Sequence, residues 1–156
     1  MNSKVLARIS AVLLLLVLVS TAVPAAAATT NGARGEQVIR VALQYLGRPY
    51  VFGARGTSAF DCSGFTRFVY QRVTGKTLPH SAALQTRYGR QISRSTLQRG
   101  DLIFFKNTYK AGISHVGIYY GNNRMIHAWP KGGVRIDSLS TTYFRAKYHS
   151  SRTYLR

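Results

Sequence analysis

The sequence predicts an α+β fold, with helices first and an antiparallel sheet after them. Two observations carry this. Between residues 35 and 88 apolar side chains recur at helical spacing, and glycines stand where the pattern stops. From residue 102 onward, short runs rich in β-branched and aromatic residues alternate with turn residues.

The elements follow in order. Gly35 to Leu46 reads as a helix on Val38, Val41, Ala42, Tyr45 and Leu46, and Gly47 stops it. Pro49 to Phe52 is extended, and Gly53 to Ser58 is a loop. Cys62 to Thr74 is the second helix. Phe65, Phe68, Val69, Arg72 and Val73 trace its stripe, and Gly75 ends it. Ser81 to Tyr88 is a shorter helix. Leu102 to Phe105 is a buried strand behind Arg99-Gly100-Asp101, where Asp101 is expected to bond loop N–H groups. His115 to Tyr120 and Arg124 to Ala128 flank Gly121-Asn122-Asn123, a β-hairpin signature. Val134 to Asp137 and Arg152 to Leu155 are further strands, and Ser140 to Lys147 is a short helix.

Residues 1–28 read as an export signal. Lys4 and Arg8 precede an apolar run, and Pro24 leads into Ala25-Ala26-Ala27-Ala28. The apolar stretch from Ile9 to Val23 is shorter than the roughly 20 residues of a spanning helix. No cysteine is available there for lipidation, so no stable membrane anchor is expected. Thr29 to Arg34 is a polar lead-in. Residues 29–156 have the length of one domain with its own core, expected to be monomeric.

The charge is extreme. With the two basic residues of the leader set aside, 20 Lys and Arg face four acids, a net +16. Such a field draws anionic polymers. Arg87, Arg90, Arg94, Arg99, Lys106 and Lys110 lie close in sequence, but no nucleic-acid motif accompanies them. With an export signal in front, anionic wall polymers are the expected partners, and nucleic acid is not.

Cys62 is the only cysteine, so no internal disulfide can form. A helix start offers free N–H groups and a positive dipole end, which favour thiolate. Asp61, Ser63 and Gly64 are small or polar, unlike the neighbours of a cysteine that only fills a core. A nucleophile also needs a base. His115 and His127 lie directly opposite each other if the hairpin centres on Gly121. One imidazole then takes the thiol proton while the other orients it. A one-residue slip would separate them. Two ordinary strand histidines and a buried structural thiol are the alternative. No metal spacing such as HExxH or CxxC is present, so no metal or other cofactor is expected. His80 and His149 read as loop or surface residues. Trp129 and Pro130 suit either a cleft wall or packing.

These residues carry a resemblance. Leu46-Gly47-Arg48-Pro49-Tyr50-Val51-Phe52-Gly53, Asp61-Cys62-Ser63-Gly64-Phe65, Leu97 to Phe105, Ser114-His115-Val116-Gly117-Ile118-Tyr119 and Met125-Ile126-His127-Ala128 follow one another in order. Together they resemble the NlpC-type cell-wall endopeptidases, bacterial papain-like cysteine peptidases. The resemblance implies a papain-like fold, with the cysteine helix packed on a small antiparallel sheet bearing both histidines. It implies Cys62 as nucleophile, His115 as base and His127 as the orienting third residue. It places Tyr50 beside the oxyanion, and Asp61 and Ser63 at the substrate-facing helix start. Phe52 stands where the family often has Trp, and Ala54 where it has a second Gly. The expected activity is hydrolysis of peptidoglycan stem peptides or crosslinks through an acyl-enzyme. Another cysteine acyl-transfer enzyme, such as an amidase or a secreted toxin, and a non-catalytic cationic wall-binding module are the rival readings.

Overall fold

Asp61 ends an extended segment (φ −91°, ψ 177°) and caps the helix that follows, with its side chain accepting from the Gly64 amide. This is α2, Cys62–Thr74, closed by Gly75 in the left-handed region at φ 71°. In the computed structural model, residues 25–155 are described, with side-chain surroundings from residue 32 onward. The leader expected over residues 1–28 lies outside the described residues except for Ala25–Ala28.

The other elements are α1 (Ala25–Leu43), α3 (Ala82–Gln85), β1 (Arg90–Ile92), a 3-10 turn (Arg94–Thr96), β2 (Leu102–Lys106), β3 (Ile113–Gly121), β4 (Arg124–Trp129), β5 (Gly133–Ser138), α4 (Thr142–Lys147) and β6 (Tyr148–Thr153). The strands form one sheet in the order β1-β6-β2-β3-β4-β5, antiparallel at each pairing. The α+β expectation holds. No helix among the described residues is long and apolar enough to cross a membrane.

Leu102 to Phe105 are all buried, because both faces of the sheet are covered. Leu102, Phe104, Val116, Ile118, Ile126 and Ala128 meet Val38, Phe65 and Val69 of α1 and α2. Strand alternation sends Ile103, Phe105 and Met125 to the other face, under Phe144 of α4.

Several boundaries differ from expectation. α1 begins at Ala25, so the polar lead-in 29–34 is helical, continued from an alanine run of high helix propensity. It ends at Leu43. Turn bonds from Gln44, Tyr45 and Leu46 back to Val41, Ala42 and Leu43 complete the segment before Gly47. The third helix is a single turn after Ser81, whose hydroxyl accepts from the Leu84 amide. β6 begins at Tyr148, directly after α4. β1 was not anticipated. Arg90-Gln91-Ile92 has no apolar alternation, and pairing with Ser151–Thr153 is what makes it a strand.

The hairpin register also needs correction. His115 and His127 are not directly opposite. Ile118 pairs with Ile126 and Tyr119 with Met125, so the turn centres on Asn122 and Asn123 rather than on Gly121. Both asparagines have positive φ, 49° and 53°, the requirement of a two-residue primed turn. Extending this register sets His127 opposite Gly117, and His115 is its diagonal neighbour. The shift is by two residues, so both imidazoles stay on one face.

Candidate active site

The loop before α2 folds back on itself. The Val51 amide donates to Phe60, the Phe60 amide to Pro49, and the Asp61 amide to Ala54. This sets Tyr50 and Phe52 beside the helix start. Asp61 is buried and organises the corner. Its Oδ1 accepts from the Gly64 amide at 2.6 Å and from the Ser63 hydroxyl at 3.1 Å. Its Oδ2 accepts from the Gly53 amide at 3.0 Å and pairs with His80 Nε2 at 2.8 Å. His80 is therefore not a featureless loop residue. It sits against Asp61 and, with Cys62, lines a cavity of about 210 Å³. Tyr50, Phe52, Ser63, Tyr109 and Lys110 line the same cavity. Phe52 is 74 % exposed and meets Tyr109 edge-on at 6.1 Å, an aromatic wall across the mouth.

Cys62 is 4 % exposed, and its thiol donates to the Ser114 carbonyl at 4.0 Å, one residue before His115. The paired β3–β4 register stops at Ile118 and Ile126, so the helix start meets β3 where β4 no longer pairs with it. Burial and then the Asp61 charge push the Cys62 pKa up to about 12, against hydrogen bonds from the Val116, Ser63 and Cys62 amides. The helix-start effect expected from sequence is present, but desolvation outweighs it.

The two histidines come together on the α4 side of the sheet. His115 Nε2 lies 2.7 Å from His127 Nδ1, and their ring centres are 4.9 Å apart. Gly117 makes room for this. A Cβ there would sit 3.2 Å from the His127 Cβ and 2.8 Å from Met125 Sδ. Phe105 and Trp129 pack on His115, at 5.8 and 4.9 Å between ring centres. Phe144 and Trp129 pack on His127. Trp129 thus backs both imidazoles. This apolar box holds the His115 pKa well below its ordinary value, mainly by burial and then by His127. Burial lowers His127 as well, partly offset by its bond to Asp137.

Asp137, which sequence reading did not single out, completes the row. His127 Nε2 lies 3.0 Å from Asp137 Oδ2. Arg135 holds Oδ1 through Nε at 2.9 Å and Nη2 at 2.7 Å. The His127 hydrogen bond chiefly keeps the Asp137 carboxyl below its usual range. A signal was available, since Asp137 is one of only four acids and lies in a strand expected next to that of His127. His80 had none, because only the tertiary return of its loop brings it to Asp61. Asp101 plays the expected loop role, its Oδ2 accepting from the Gln98 amide at 2.8 Å. Among the described residues, no group of three or more His, Cys, Asp or Glu is placed to hold a metal ion.

Residues 47–153 match the NlpC/P60 family. The chain is 42 % identical over 118 residues to the gamma-DL-glutamyl hydrolase of Bacillus subtilis (strain 168), covering 75 % of this chain and 29 % of that protein. It is 49 % identical over 98 residues to the probable endopeptidase p60 of Listeria grayi, covering 63 % and 18 %. It thus spans less than a third of either relative. The crystal structure of the NlpC/p60 domain of peptidoglycan hydrolase SagA superposes with a TM-score of 0.67 at 35 % identity, covering 76 % of this chain and 97 % of that one. The α+β, papain-like fold is shared with these proteins, and the chain belongs to the NlpC/P60 family.

Proposed function

We propose that this chain is an exported peptidoglycan endopeptidase that cleaves an amide bond of a stem peptide or crosslink through a Cys62 acyl-enzyme. One observation carries the reading. The chain's single thiol lines a cavity at a helix start, hydrogen-bonded to the residue before a buried histidine that is itself paired with a second. The names of the relatives, a glutamyl hydrolase, an endopeptidase and a peptidoglycan hydrolase, support the same chemistry.

His115 takes the proton from Sγ as sulfur attacks the substrate carbonyl carbon. The carbonyl oxygen becomes an oxyanion, held by the Cys62 amide and the Tyr50 hydroxyl. Burial raises the Tyr50 pKa to about 12, so it keeps the proton it would donate. The C–N bond breaks as His115 returns its proton to the leaving amine. Water then hydrolyses the thioester, with His115 again as base. Asp61 and Ser63 face the substrate from the cavity wall, Asp61 contributing negative charge. Residues 1–28 act as a cleaved export signal.

Surface charge supports wall targeting. The four acids of the chain are each occupied: Asp61 by His80, Asp101 by Gln98, Asp137 by His127 and Arg135, and Glu36 by Arg99 at 2.5 Å. Arg87, Arg90, Lys106, Lys110, Arg124 and Lys131 are exposed. The surface thus offers an almost wholly positive field to anionic wall polymers.

Digestion of defined muropeptides by residues 29–156, with mass analysis of the fragments, tests the reading. The expected result is one new amine and one new carboxyl terminus within the stem peptide, absent with Cys62→Ser. Unchanged muropeptides, or full activity in the serine variant, would overturn it.

A further inference from the structure

Behind the two imidazoles, the donors and acceptors leave one consistent arrangement of protons. A carboxylate only accepts. Arg135 occupies Asp137 Oδ1 with two N–H groups, which leaves Oδ2 for His127 Nε2 at 3.0 Å. A neutral His127 must therefore carry its proton on Nε2. Its Nδ1 is then a lone pair, 2.7 Å from His115 Nε2. That nitrogen must donate, so the single proton of neutral His115 sits on Nε2. His115 Nδ1 is left as a lone pair for the thiol proton. The opposite assignment would point an imidazole lone pair at a carboxylate.

We propose that Asp137 is a positioning residue: held by Arg135, it fixes the protons of His127 and His115 on their Nε2 atoms, so that His115 presents a basic Nδ1 to Cys62. The role rests on the peptidase reading for its catalytic meaning, but not for its proton arrangement. The directions of titration agree with it. Burial keeps both imidazoles neutral, and the Asp137 carboxyl stays ionised. After proton transfer the His115 imidazolium is buried, and the Asp137 charge, relayed through His127, stabilises it.

The proposal has a signature that a packing role lacks. In Asp137→Asn, Arg135 still demands an oxygen, so the amide turns its NH₂ toward His127. That NH₂ requires a lone pair on Nε2, which inverts both tautomers and blocks His115 Nδ1 with a proton. In Asp137→Ala nothing is inverted, and water can fill the gap. Asparagine, the nearer isostere, should therefore be the worse substitution. Asp137→Asn should lower kcat about 100-fold or more with KM little changed, and Asp137→Ala about 10-fold, the larger loss being that of a wrong tautomer. Asp137→Glu should recover part of the loss, since it restores an acceptor.

Two readouts do not need the natural substrate. The rate of Cys62 alkylation by iodoacetamide should fall in the same order, Asn below Ala below wild type. Imidazole nitrogen NMR shifts of the wild-type protein should show protonated Nε2 on both histidines. A Nδ1-protonated His127 in the wild type, or an Asn variant alkylated as fast as the wild type, would overturn the proposal. If the variants do not fold, the wild-type nitrogen shifts alone decide it. If the alkylation order holds but wild type leaves muropeptides intact, the peptidase reading fails and the positioning role stands.

Discussion

Asp61 Oδ1 lies 2.6 Å from the Gly64 amide, and this bond fixes Cys62 as the first residue of α2. The same corner brings the loop carbonyl of Ala54 against Gly64. A Cβ on residue 64 would lie 2.2 Å from that oxygen and 3.0 Å from Arg55 Cα. Ala54 cannot retreat freely, because its carbonyl also accepts from the Asp61 amide at 2.8 Å.

Gly64→Ala should therefore destabilise the protein, although alanine is the better helix former. Helix propensity would give back roughly 1 kcal/mol, whereas the clash is with the loop backbone of Ala54 and Arg55. A net loss of about 1–3 kcal/mol is expected, the range for overpacked sites. Thermal or urea unfolding measures it. A variant as stable as the parent would show that the loop before α2 is free to move.

His115→Ala should cost nearly all turnover, since the proposed reaction takes the thiol proton to its imidazole, whereas His80 is engaged by Asp61. His127→Ala should cost less. Removing its buried ring leaves a polar gap between His115 Nε2 and Asp137 Oδ2 that ordered water can fill. General-base contributions of about 10²–10⁴-fold set the scale for His115. Comparison of kcat on one muropeptide checks the order. A silent His115→Ala would remove it from the reaction.

The part of this site that was legible from sequence is local. Asp61 before an apolar stripe and Gly75 after it define both ends of α2, because caps are read from a few adjacent residues. Cys62 and the shared face of the histidines followed from element order and parity. The hairpin register did not, because a bulge between Tyr119 and Gly121 moves the turn onto two asparagines. β1 was hidden because its only support is a long-range partner, β6. His80 was hidden for the same reason, since nothing near Pro79 points to Asp61. The upward shift of the Cys62 pKa was hidden as well, because sequence shows the helix dipole but not the desolvation that outweighs it.

Stability should fall on both sides of neutral pH. Burial holds His115 well below, and His127 below, the free imidazole value of 6.5. As pH drops through 6.5 the unfolded chain gains protons at both rings while the folded protein does not. The unfolded state then binds more protons, so stability present above 6.5 is lost toward acid. Cys62 acts in the opposite sense. Its thiol keeps its proton to about 12 when folded but loses it near 9.0 when unfolded, so stability falls as pH rises past 9.0. Melting temperatures across this range check both limbs. His127→Asn should flatten the acid limb, and Cys62→Ala should flatten the alkaline one. A wild-type melting temperature equal at about pH 5 and pH 8 would sink the account of buried neutral imidazoles.

Wall retention should be governed by salt. The basic residues outnumber the acids 22 to 4 over the whole chain, and the acids are tied up in internal pairs. Arg94 and Arg99 of the basic cluster are themselves half-buried, Arg94 donating to the Leu139 carbonyl and Arg99 pairing with Glu36. The field at the surface therefore comes from exposed, scattered side chains such as Arg87, Arg90, Lys106 and Lys110. Interactions of that kind are screened as the Debye length shrinks from about 10 Å at 0.1 M salt to about 3 Å at 1 M. Inactive Cys62→Ser protein bound to purified walls should be released steeply over that range, and should bind poorly once anionic polymers are stripped from the walls. Cleavage of a small soluble muropeptide should change far less. Its contacts are expected inside the cavity lined by Tyr50, Asp61 and Cys62, where salt screens less than at the open surface. Retention that ignores salt would mean that packed contacts, not the charge field, hold the protein to the wall.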